Sequence, residues 1–114
     1  MLKRYAMAVV LTLFFVTPSV AGDFFAAIKE RAEQGDVAAQ ETLCGMFYFG
    51  KNVMQNYEQA YIWASLAAAQ SPAPEYAAEV RDEVAKKLPP KDLIAAQQRA
   101  AELQEKIAAN AKNP

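Results

Sequence analysis

The stretch "GDVAAQETLCGMFYFGKNVMQNYEQAYIWASLAAA", Gly35 to Ala69, decides the fold. Its first half sets Ala39, Leu43, Met46 and Phe47 on one side of a helix, because residues three and four apart stack on the same face. Asp36 precedes that run as an N-cap, and Gly50 follows it as a stop, since glycine enters the left-handed backbone that ends many helices. The loop "GKNVMQN" comes next, with Asn52 able to take a left-handed backbone and Asn56 placed to cap the following helix. From Tyr57 onward, Ala60, Tyr61, Ala64, Ala67 and Ala68 continue a stripe of mostly small side chains, widened by Trp63 and Leu66. Small residues let helix axes approach closely, so this second half of the hairpin is expected to be the most buried helix.

The flanks read as helix too, and no window alternates β-branched and polar residues as a strand would. Upstream, Asp23 is expected to cap a helix that turns Phe24, Phe25, Ile28 and Ala32 to one side and ends at Gly35. Downstream, Pro74 suits the first position of a helix burying Tyr76, Val80, Val84 and Leu88. Pro89-Pro90 then forces a turn. The last helix uses Leu93, Ala96, Ala100, Leu103 and Ile107, with Glu102 and Lys106 one turn apart as a possible ion pair. The fold class is therefore all-α.

Residues 1–21 read as a signal peptide: Lys3 and Arg4 precede an apolar run from Ala6 to Val16, and Pro18 and the small residues Ser19-Val20-Ala21 follow. Cleavage is expected after Ala21, which makes the protein periplasmic or secreted, with no membrane anchor after cleavage. The apolar run falls short of the roughly 20 residues that span a bilayer. Residues 22–109 form a single helical domain, and 110–114 a frayed tail. Lys3 and Arg4 leave with the leader while all 13 acidic residues stay, so the mature net charge is −3. That balance argues against a nucleic-acid partner, which requires a clustered basic stripe. Lys86, Lys87 and Lys91 read as cations at the end of a helix.

The chain has no His, which removes the usual general base, the usual zinc ligand and the His-dependent triads together. No Gly-rich phosphate loop occurs, and the neighbouring carboxylates Glu30/Glu33 and Asp82/Glu83 read as solvated charges. The reading is of no enzyme, no cofactor and no metal. Cys44 is the single cysteine, so no internal disulfide can form; it is either a small buried residue or an exposed thiol joining two chains.

Ala32, Gly35, Ala39, Gln40, Leu43, Met46, Phe47, Gly50, Val53, Tyr57, Ala60, Trp63, Ala67 and Ala68 fall in order and register on one pattern. It resembles that of the Sel-1-like repeats, relatives of the tetratricopeptide repeats, with one unit at 32–71. Departures are Cys44, Asn52, Met54, Asn56 and Ser71 where that family has glycine, glycine, proline, aspartate and glycine. "EVRDEVAKKLPPKDLIAAQQRAAEL" looks like the closing helices of short exported members, with Pro89 where a threonine or serine cap is usual. The resemblance implies antiparallel hairpins in a short right-handed α-α superhelix, tetratricopeptide-like, in which one repeat is flanked by capping helices. It implies a non-enzymatic interaction module that binds a protein or peptide partner on its concave side, lined by Glu41, Gly45, Tyr48 and Lys51. The alternative role is a self-associating homo-oligomer.

Overall fold

The structure is a computed structural model and describes residues 20–112. Residues 1–19 of the expected signal peptide and 113–114 of the expected tail lie outside the described residues. Five helices occupy the described chain: α1 (Val20–Glu33), α2 (Val37–Phe49), α3 (Tyr57–Ala68), α4 (Glu75–Lys87) and α5 (Pro90–Lys112). The chain is all-α, with no strand among the described residues.

The turns form for local reasons. Gly35 has φ +95°, and behind it the Asp36 N–H donates to the Arg31 carbonyl at 3.1 Å, closing the end of α1. Asp36 then starts α2: its Oδ1 accepts from the Ala39 N–H at 3.1 Å, and its Oδ2 meets Arg31 Nη2 at 2.7 Å. The Ala39 amide first and Arg31 second hold the Asp36 carboxyl below its ordinary range. At the other end of α2, Gly50 has φ +71° and Asn52 φ +62°. The Asn56 N–H donates to the Phe47 carbonyl at 2.9 Å, and Asn56 Oδ1 accepts from the Gln59 N–H at 3.0 Å. A loop of seven residues, 50–56, returns α3 antiparallel against α2.

Helix α3 is the hub. Seven of its 12 residues are buried, and α2, α4 and α5 all pack on it, while α1 packs on α2. Leu43, Leu66 and Val84 are the large apolar residues closed off most completely. Gln40 is also fully buried and ties α2 to α1 by donating from Nε2 to the Ala32 carbonyl at 3.1 Å. Consecutive helices α4 and α5 make little direct contact with one another. Instead α5 lies on α3, where Gln97 Nε2 donates to the Tyr61 hydroxyl at 3.5 Å, and reaches the first turn: a Cβ on Gly35 would stand 3.3 Å from Ile107 Cγ2.

Several expectations need correction. Helix α1 is already helical at Val20, so Asp23 lies inside it, and Phe24 is exposed while Phe25 packs edge-on against Phe47 at 5.9 Å. Pro74 is the N-cap of α4 rather than its first residue, and it gives no side-chain cap bond. Tyr76 is exposed and Ala77 takes the buried place. Ile62, outside the expected stripe, is buried. Glu102 and Lys106 do not pair, and α5 stays helical to Lys112, past the expected fraying point at 110.

Candidate functional site: a groove over the second helix

Helix α2 uses one face for the core and leaves another in solvent. Glu41, Gly45 and Phe49 follow at steps of four, and Thr42 and Met46 form a second row beside them. With Lys51 just past Gly50, and Tyr76 leaning over from α4, these residues line an open groove of about 340 Å³. Gly45 leaves room for the tip of the Tyr76 side chain, because a Cβ there would sit 3.2 Å from Tyr76 Oη. Phe49 is 60% exposed although it lies at the end of a packed helix, and Lys51 Nζ stands 5.9 Å from its ring centroid.

Three of the four expected site residues, Glu41, Gly45 and Lys51, therefore meet in one groove. Tyr48 does not line it. It is half-buried on the flank of α2, tilted against Tyr57 at 5.9 Å and edge-on to Phe49 at 4.9 Å, and its carbonyl accepts from Gln55 Nε2 at 2.8 Å. Sequence reasoning missed Thr42, Met46, Phe49 and Tyr76. The step Glu41, Gly45, Phe49 could have revealed Phe49; Tyr76 belongs to a distant helix and left no local signal.

Burial, followed by Cys44, Glu41 and Tyr48, pushes the Tyr76 hydroxyl above its ordinary value, so it stands protonated as a hydrogen-bond donor. Cys44 lies beneath with no exposure, and burial, then Glu41, pushes its thiol up to about 12. A thiol in that state is a packing group, and its burial removes it from disulfide exchange between folded chains.

Other charges are engaged on the surface. Glu33 meets Lys29 at 3.9 Å, Asp82 meets Arg81 at 3.0 Å and Glu83 meets Lys86 at 3.3 Å. Lys87 Nζ stands 5.8 Å from the Tyr57 ring centroid. Among the described residues no group of three or more acidic, Cys or His side chains could hold a metal ion, and no helix is long and apolar enough to cross a membrane. Comparison with family models, with curated proteins and with solved structures gives no match.

Proposed function

We propose that this chain is an exported, non-enzymatic protein-interaction module that holds an extended segment of a partner protein in the groove over α2. The observation that carries this reading is the exposed Phe49 ring beside Gly45 and Tyr76 in a groove of about 340 Å³. Exposed aromatic area next to a few polar groups is the usual composition of a binding surface. The groove is preformed, since Asp36 caps one end of its helix and Gly50 closes the other, so little ordering cost attends binding.

In this reading α2 and α3 are a Sel-1-like unit, and the flanking helices act as its neighbours in a short tetratricopeptide-like superhelix. What supports it is the residue pattern from Ala32 to Ala68, together with Gly35 and Gly50 in the left-handed conformation and Asp36 and Asn56 as caps. Export to the periplasm or beyond rests on residues 1–21.

A photo-crosslinking amino acid at Thr42, exposed on the groove wall, tests the reading in intact cells. The expected result is a discrete adduct that Phe49→Ser abolishes and that the same probe at Arg99, exposed on α5, does not form. Equal adducts from both positions, or indifference to Phe49→Ser, overturn it. An adduct of two copies of the chain supports self-association instead.

A further inference from the structure

The groove does not stop at Phe49. That ring stands edge-on to Tyr48 at 4.9 Å, and Tyr48 tilts against Tyr57 at 5.9 Å, so three rings run unbroken from the end of α2 to the start of α3. A lysine stands over each end of the row. Lys51 Nζ is 5.9 Å from the Phe49 centroid, and Lys87 Nζ, reaching across from the last residue of α4, is 5.8 Å from that of Tyr57. Both lysines lie at helix C-termini, where a cation ordinarily settles on the terminal carbonyls. Here neither ammonium makes a hydrogen bond or an ion pair among the described residues, and both side chains are exposed. Glu58, next to Tyr57 in the chain, lies in the first turn of α3 and complements the N-terminus of its own helix.

We infer that the segment entering the groove is acidic, and that it passes over Phe49, Tyr48 and Tyr57 with carboxylates on Lys51 and Lys87. This rests on the groove reading above and adds the partner's charge and a second stretch of its footprint. Because both ends of the row are cationic, it sets no chain direction. Charge decides the sign: carboxylates meet two ammonium groups that have no acidic partner, whereas a basic segment would put like charges together at both ends. Ring geometry decides the class. Interplanar angles of 90° and 45° leave no run of parallel faces on which bases or sugar rings could stack, while apolar side chains pack against ring edges and faces alike.

The test uses the full chain and fluorescently labelled, end-blocked peptides read by anisotropy. One peptide alternates glutamate with leucine, and two others of equal length carry glutamine or lysine in place of glutamate. The acidic peptide is expected to bind about tenfold tighter than the glutamine one, as two exposed charge contacts allow, with the lysine peptide weakest. Lys51→Gln and Lys87→Gln are each expected to weaken the acidic peptide about threefold and to leave the glutamine peptide unchanged. Lys87→Arg keeps the charge and the binding, and Lys112→Gln, at the end of α5, changes nothing. Unaltered helical circular dichroism checks the fold. Equal binding of the acidic and glutamine peptides, a loss in Lys112→Gln that matches that in Lys87→Gln, or tighter binding of single-stranded oligothymidylate overturns the inference. If the Thr42 probe yields its Phe49-dependent adduct and Lys87→Gln alters neither the adduct nor the acidic peptide, the inference fails and the groove reading stands. If the peptides and variants behave as expected but the Thr42 probe gives no such adduct, the row holds acidic segments and it is the groove reading that fails.

Discussion

The hairpin α2–α3 and the tail α4–α5 are built on different physics. Each helix of the hairpin begins at a side-chain cap, Asp36 or Asn56, and the turns around them use residues in the left-handed conformation. The tail helices begin at prolines instead: Pro74 gives no side-chain cap bond, and at the start of α5 only the Pro89 carbonyl serves, accepting from the Leu93 N–H at 2.9 Å. What holds the tail is contact with α3, through Val80 and Val84 on one side and Ala96 and Ala100 on the other. The hairpin is thus specified locally and the tail by docking. A locally specified pair can present a preformed groove, and the docked helix α4 supplies the wall that carries Tyr76.

The largest effects come from the shared core. Leu43→Ala, at a fully buried site on α2, is expected to cost about 3 kcal/mol, and Val84→Ala, equally buried on α4, about 2 kcal/mol. Urea unfolding followed by helical circular dichroism and by Trp63 fluorescence checks both. If docking makes the two halves one cooperative unit, the two probes move together in each variant. A Val84→Ala protein that loses part of its helix signal before Trp63 responds would split the halves and break the comparison.

Cys44 gives the next effect through pH. Its buried thiol keeps its proton to about 12, whereas the unfolded thiol releases it near 9.0. Between those values the unfolded chain binds fewer protons, so folding stability falls as pH rises; below 9.0 the contribution is fully present. Thermal melts of the native chain from pH 8.5 to 11 should show a steeper decline than those of Cys44→Ala, which lacks the group. Parallel declines would mean that the thiol is not held protonated beneath the groove.

These effects also mark what was legible in the sequence. Gly35, Asp36, Gly50, Asn52 and Asn56 were readable because each does its work within a few residues of itself. The face of α4 was misread for a geometric reason. Tyr76, Val80, Val84 and Leu88 repeat every four residues, and such a row drifts by about 120° over its three steps in a helix of 3.6 residues per turn. Only its middle stays in the core, and Ala77, three residues before Val80, fills the place expected for Tyr76. Ile62 was missed because α3 is covered from several sides, so a single-face pattern understates its burial. Glu41, Gly45 and Lys51 could be grouped along one helix, but the groove itself depends on Tyr76 crossing from α4, and nothing within either segment encodes that meeting.

A cap deletion sharpens the contrast with a smaller effect. Asn56→Ala removes the oxygen that accepts from the Gln59 N–H, and it is expected to cost about 1 kcal/mol. Urea midpoints at unchanged slope measure it. A cost near zero would mean that the hairpin, like the tail, is held by docking alone.

The smallest effect is expected where a cap is added to the tail. Pro89→Ser places a hydroxyl at the start of α5 that can accept from an N–H in its first turn, a gain of about 1 kcal/mol in isolation. Losing the proline frees the unfolded chain, which costs the folded state about 0.4–1 kcal/mol. The two terms oppose each other, so the net change should fall within about 0.5 kcal/mol of zero. Pro90 at the first helical position leaves this balance as it is, because an N-cap hydroxyl accepts from the second or third helical N–H and not from the first. A Pro89→Ser chain stabilised by more than that would show that α5 has been waiting for a cap, and that the tail is limited by its helix ends as the hairpin is.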